Sequence, residues 1–337
     1  MGRTDSDNET NTGKSGIRNY IVFIIIGAVL LAVIVFIIIR VAIWSKGQKL
    51  VIDPNEVPDV SFETEDNITF LPPSMVRDDD DGKNTFLIIG NECLTNGKDG
   101  ETMADIFEKE LKGEVTCVSF PGTSLSSRYP HGPEIKDGEP AEDFFTFYWL
   151  TIYIHFLDFD SLNGYLEYIE DDSLRAVYKE NLDKLAGVDY ENLDYLVICY
   201  DGHDYLLGRD GFYEENNQDI TTLYGSLYGS FGNLKDDYPN LQWIIASPYF
   251  CMYTDETGAQ SPCDLTIVSK ETLPNMMNYI INFSLDCDAS YIDNYFGSGI
   301  SVENADEYLE KDGITLTEKG VRKFCDYTVK MINGRLL

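Results

Sequence analysis

Three short polar clusters in this chain carry residues able to do chemistry, and the first two directly follow an apolar run. Asn91, Glu92 and Cys93 offer a carboxylate and a thiol. Asp201, Gly202, His203 and Asp204 place an imidazole between two carboxylates. Asp312, Gly313, Ile314 and Thr315 offer a carboxylate and a hydroxyl. A thiolate is a strong nucleophile once a base activates it. Cys93 with His203 would therefore make a Cys–His pair, and the backbone N–H of Gly122 could steady a developing oxyanion. His203 could instead donate from its ring to a bound ligand, with Asp201 and Asp204 beside it. Glu92, Asp201, Asp204 and Asp312 together would suit a hard cation such as calcium. Acidic residues are abundant throughout, however, so this pattern assigns no metal and no cofactor. No CxxC pair or Cys/His spacing of a zinc site occurs. His131 lies in a turn-rich Tyr-Pro-His-Gly-Pro stretch and could overhang the rim as a substitute base. His155 falls in an aromatic helical pattern and reads as a packed residue.

The elements that must position these residues are legible in the same pattern. Runs at 85–89, 115–120, 195–200 and 242–247, with a weaker one at 289–292, are short, apolar and rich in Ile, Val and aromatics. Such runs read as buried parallel strands. Helical periodicity appears at 102–111, 221–237, 272–285 and 317–332. Alternating strands and helices imply a parallel sheet covered on both faces. In open sheets of this kind ligands bind at the carboxyl ends of the strands. Glu92, Cys93, Gly122 and the 201–204 cluster all fall at those ends. Residues 125–194 read as a helical insertion, and the aromatic run 144–149 within it is a candidate partner surface.

Four segments, 86–97, 118–124, 196–204 and 312–320, resemble the blocks of the SGNH/GDSL hydrolase family in order and spacing, across roughly residues 84–333. The resemblance implies a three-layer α/β/α, flavodoxin-like domain with a five-stranded parallel sheet. It also implies acyl chemistry: a serine in the first block, oxyanion donors in the second and third, and an Asp-x-x-His pair in the last. This chain departs from that pattern at both ends. Thr315 stands where the histidine belongs, and a threonine hydroxyl is no base at neutral pH. In the first block two registers compete. If Gly90 is the family glycine, Glu92 takes the serine place; if the later residues set the register, Cys93 does. In the third block His203 takes the asparagine place.

Residues 20–39 form an uncharged apolar run long enough to span a bilayer. Arg40 and Trp44 follow in place of a small-residue cleavage site, which points to an uncleaved signal anchor. Basic residues balance across the run: Arg3, Lys14 and Arg18 before it, Arg40, Lys46 and Lys49 after it. A short polar tail followed by a large acidic domain favours a cytoplasmic N-terminus and an extracytoplasmic C-terminal domain. The implied organisation is a polar tail at 1–16, a transmembrane anchor at 17–44, an acidic stalk at 45–83 and the hydrolase-like domain at 84–337. The formal net charge of −33, from 25 basic and 58 acidic residues, disfavours nucleic acid as a partner. Seven cysteines leave an odd thiol, and Cys251 with Cys263 flank a polar loop that a disulfide could close.

Three functions follow as expectations. The first is a membrane-anchored protein without ordinary esterase activity that binds a cell-envelope glycan or an acylated ligand. The second is an active esterase or acyltransferase using Cys93. The third is a structural envelope component that docks through its aromatic insertion.

Overall fold

The apolar runs become the strands of one sheet. The computed structural model describes residues 64–78, 81–97, 101–131 and 140–336. Strands β1 (Thr85–Gly90), β2 (Glu114–Ser119), β3 (Tyr195–Cys199), β4 (Gln242–Ala246) and β5 (Ser290–Ile292) pair in parallel in the order β2-β1-β3-β4-β5. Every residue of β3 is buried, as are Phe86 to Gly90 of β1. A sheet covered on both faces needs side chains that are apolar on both faces, which is why these strands read as continuous runs without alternation.

Helices α1 (Met103–Glu110), α2 (Phe147–Phe156), α3 (Asp172–Ala186), α4 (Leu223–Leu234), α5 (Leu273–Asp286) and α6 (Glu318–Asn333) cover it. Helix α1 packs on α6, while α2, α4 and α5 form a second contiguous group. Threonine starts four of these helices. The hydroxyls of Thr102, Thr222, Thr272 and Thr317 accept backbone N–H groups of the first turn, and Thr102 and Asp105 complete a reciprocal capping box. Sequence therefore sets where each connection ends and each helix begins, and so fixes the length of the loops at the rim.

Two expectations change. The helices of 125–194 lie beside the sheet, α3 on β2 and α2 on α4. Phe144, Phe145 and Phe147 are buried. The ring of Phe144 stacks on Tyr165, Phe145 meets Tyr178, and Phe147 meets Tyr200 and Trp243. These aromatics are core, which removes the motive for an aromatic docking surface. The expected stalk also ends earlier than residue 83. Asn67 pairs with Tyr291 of β5, Leu71 exchanges hydrogen bonds with the Gln242 side chain, and Arg77 pairs with Asp194. Residues 64–77 are thus built onto the amino-terminal edge of the sheet, where long-range partners outweigh their linker-like composition. The apolar run at 20–39 lies outside the described residues; among those described, no helix is long and apolar enough to cross a membrane. Cys251 and Cys263 face one another at the base of a hairpin made by Met252–Thr254 and Gln260–Pro262, and both are free thiols.

Asp194 ties this edge together. Its carboxylate accepts from Arg77, from the Thr85 N–H at 2.8 Å and from the Thr85 hydroxyl at 2.8 Å. The Arg77 side chain is only 7% exposed. Removing one partner of a buried ion pair strands the other, at a cost of about 3–5 kcal/mol. Asp194→Ala should therefore lower unfolding stability by about 3 kcal/mol or more, and Asp194→Asn, which keeps hydrogen bonding, should lose less. Urea denaturation followed by tryptophan fluorescence measures both.

Candidate functional site

Strand β1 ends at Gly90 because no larger residue fits there. A Cβ at this position would lie 2.1 Å from the carbonyl oxygen of Cys199 in β3. This close approach sets the turn after β1 against the turn after β3. The crevice between them is where the chain, having crossed from β1 to β2, returns to the opposite side, the usual ligand position in such sheets. Gly90 is the strand-ending glycine, and Asn91 and Glu92 take the next two places.

Asn91 is fully buried and works as a bracket. Its amide donates to Asp201 Oδ1 at 2.8 Å and to the Thr123 carbonyl at 3.3 Å, and its Oδ1 accepts the Cys93 N–H at 3.3 Å. One side chain thereby fixes the first block against the second and third. Glu92 opens a short 3-10 turn, Glu92–Thr95, and turns its carboxylate toward the rim. One carboxylate oxygen, Oε2, accepts the Gly122 N–H at 2.8 Å. The other, Oε1, lies 3.0 Å from His203 Nε2. Gly122 has φ of +84°, a left-handed conformation that favours glycine and aims its N–H at Glu92. In acyl transfer such an N–H stabilises a transient oxyanion. Here a permanent carboxylate holds it.

His203 is engaged on both ring nitrogens, since its Nδ1 lies 2.7 Å from Asp201 Oδ1. The same Asp201 oxygen accepts the His203 backbone N–H at 3.1 Å, a two-residue turn that starts the short helix His203–Leu206. Asp201, His203 and Glu92 thus form a continuous relay. Burial opposes the charge on His203, but the hydrogen bond and charge of Asp201, with Glu92 and Asp204 behind it, outweigh burial and raise its pKa to about 9. Burial, then the charge of Asp201, raises the Glu92 pKa, while His203 and the Gly122 N–H offset part of that rise. At neutral pH the imidazole is therefore cationic. A histidine that already carries its proton cannot take one from a nucleophile.

The other candidates lie elsewhere. Cys93 is fully enclosed, and its thiol donates to the Cys199 carbonyl at 3.3 Å. Burial pushes its pKa well up, so it lacks the exposure and thiolate character of a nucleophile. The Cys93–His203 pair is not formed. Asp312 and Thr315 bond to one another, through the Thr315 hydroxyl at 2.6 Å and N–H at 2.9 Å. Thr315 lines a small cleft of about 140 Å³ with Thr95, Asn96 and Gly97, but the relay runs through Gly122, Glu92, His203 and Asp201 without Thr315 or Asp312. Asp204 is buried, accepts the N–H groups of Leu125 and Ser126 at 2.9 Å each, and serves to shape the second-block loop. His155 pairs with Asp237. His131 is exposed, in the turn where the described residues break off at 131.

Of the four carboxylates that suggested a cation, only Glu92 and Asp201 meet, and they do so with His203, their ligand atoms all within 4.8 Å of one another. Asp201 Oδ1 already accepts three hydrogen bonds, and His203 Nδ1 is turned to Asp201. The bonding is that of a proton-sharing relay, not a coordination cage. Sequence reasoning missed the bridging amide of Asn91. Its position directly after the strand-ending glycine was the available signal.

No protein-family model matches the chain, and no curated protein matches it. Solved structures are similar in fold. A crystal structure carrying no functional name is 14% identical with a TM-score of 0.50, covering 76% of this chain and 98% of its own. A possible lipase from Chitinophaga pinensis is 11% identical with a TM-score of 0.44, covering 74% of this chain and 98% of its own. A proposed SGNH hydrolase from Slackia heliotrinireducens is 15% identical with a TM-score of 0.40, covering 74% of this chain and 98% of its own.

The relay has a titration signature. With its pKa raised from 6.5 to about 9, His203 should stay protonated through neutral pH. Its ring proton resonances in NMR should titrate near pH 9, and Glu92→Gln should lower that midpoint by removing one of the charges that face the ring. A group whose pKa rises on folding adds stability that is complete below its unfolded value. The His203 contribution should therefore be full below about pH 6.5 and vanish as pH rises through about 9, an increment absent from His203→Gln.

Proposed function

We propose that this chain, an α/β protein with the SGNH-hydrolase-like fold, is a membrane-anchored extracytoplasmic protein that binds a cell-envelope glycan or acylated ligand at its rim without ordinary ester hydrolysis. One observation carries the reading. The Glu92 carboxylate, which takes the nucleophile position when Gly90 is read as the family glycine, occupies the backbone donor that an oxyanion would need. Three further points support it. The only imidazole in the relay is cationic at neutral pH. Thr315, at the family's histidine position, is closed onto Asp312. Cys93, the alternative nucleophile, is enclosed. The membrane and compartment parts of the reading rest on the apolar run at 20–39 and on the acidic composition.

A binding role accounts for a rim that is organised yet lacks an attacking group. Asn91, Asp201 and Asp204 hold three loops in one arrangement through buried hydrogen bonds. Preorganised polar groups of this kind serve recognition as well as catalysis, because a ligand then pays little ordering cost.

The test is an esterase assay of the full-length protein in nonionic detergent against p-nitrophenyl acetate and an acetylated polysaccharide. Release should not exceed the buffer rate, and iodoacetamide at neutral pH should leave Cys93 unlabelled in the folded protein. Turnover abolished by Glu92→Gln, by His203→Gln or by Cys93→Ala would overturn the reading and name the group responsible.

A further inference from the structure

Gly122 belongs to two places at once. On one side its N–H meets Glu92. On the other it lines a cavity of about 280 Å³, together with Ser124, Arg128, Asp143, Thr146 and Arg209. A Cβ built on Gly122 would meet no atom within 4 Å, so the backbone is open on the rim at this point. The chain holds only 25 basic residues against 58 acidic ones, yet two guanidinium groups line this single cavity.

Arg209 Nε is enclosed and, among the described residues, has no hydrogen-bond partner. An enclosed donor left without an acceptor costs stability and calls for an explanation. The nearby carboxylate does not fill that role. Asp143 accepts the Ser127 hydroxyl at 3.0 Å and the Arg128 backbone N–H at 2.9 and 3.2 Å, and forms no ion pair with Arg209 among the described residues. Burial also raises the Asp143 pKa, with the two arginines only partly offsetting that rise. Glu142, a second carboxylate on the lining, is part of the same wall.

Both arginines are placed by one residue. The Asp204 carboxylate accepts the N–H groups of Leu125 and Ser126, three and two residues before Arg128, and the Asp204 carbonyl accepts the Arg209 N–H at 2.9 Å. Asp204 also follows His203 directly. The relay and the arginine cavity therefore share one scaffold, and a ligand spanning Gly122 would touch both.

We propose that this cavity binds an oxyanionic group, carboxylate or phosphate, carried by the rim's ligand, with Arg209 as the principal contact and Arg128 at the mouth. The inference deepens the binding role proposed above and rests on it for the location of the ligand. Guanidinium groups match both oxyanions in geometry, since each presents paired oxygens to a planar fork of donors. The ligand class that follows is an acidic glycan, bearing either a uronic-acid carboxylate or a phosphodiester substituent. The remaining surface is strongly acidic and would repel such a ligand everywhere else.

The experiment is calorimetric titration of the full-length protein in nonionic detergent with glucuronate, glycerol 1-phosphate and, as the neutral control, glucose. At least one anion should bind, with affinity falling as salt is raised, and glucose should not. Arg209→Gln should weaken that binding tenfold or more, Arg209→Lys should restore part of it, and Arg128→Gln should weaken it less. Unchanged circular dichroism of each variant secures the comparison, and if Arg209→Gln fails to fold, the Arg128→Gln and Arg209→Lys variants carry the test. Which anion binds distinguishes the carboxylate from the phosphate source. Binding of neither anion, or binding indifferent to all three substitutions, overturns the proposal while leaving the absence of hydrolysis intact. Anion binding lost in Arg209→Gln alongside measurable ester turnover sustains the cavity and overturns the inactive rim instead.

Discussion

The arrangement of this rim depends on one oxygen. Asp201 Oδ1 accepts from the Asn91 amide, the His203 backbone and the His203 ring. Through Asn91 it fixes the turn after β1; through His203 it fixes the turn after β3 and the ring orientation that faces Glu92. Asp201 is almost fully buried, where an unpaired carboxylate would be expensive, and the three donors are what make its burial tolerable. The direction of causation matters. His203 is cationic because Asp201 is held close and dry, and Glu92 is held in place because that cation and the Gly122 N–H converge on it. Glu92 and His203 each act on the other's titration, so a change at one moves the other.

Most of the frame was legible because it rests on local rules. Strands buried on both faces read as apolar runs, helical periodicity marked the helices, and the polar clusters fell at the strand ends that topology brings together. The register of the first block was not legible. That Gly90 sits against the Cys199 carbonyl, and that Glu92 faces Gly122 and His203 while Cys93 is enclosed, depends on the pairing of β1 with β3, a contact between residues far apart in sequence. The entry segment misled for the same reason. Residues 64–77 have the composition of a linker, but Asn67, Leu71 and Arg77 find their partners in Tyr291, Gln242 and Asp194. The aromatics at 144–149 misled in the opposite sense, since a cluster that looks adhesive in one dimension is consumed by Tyr165, Tyr178, Tyr200 and Trp243 in three.

A filled oxyanion site has a geometric consequence for ligands. In a working esterase the substrate carbonyl enters the space between nucleophile and donor. Here the Glu92 carboxylate spans that space and contacts both sides, so a ligand carbonyl finds neither a vacant donor nor an attacking atom. A ligand can only lie alongside. The open backbone at Gly122 and the cavity behind it leave room on that side, whereas the opposite flank, beneath Gly202, is closed by Cys251 and Leu273. Arg128 and Arg209 line that side, together with Asp143 and Glu142. In the binding role proposed above, the Glu92 carboxylate holds the Gly122 N–H where an oxyanion would need it, and Thr315, closed onto Asp312, stands in place of a base.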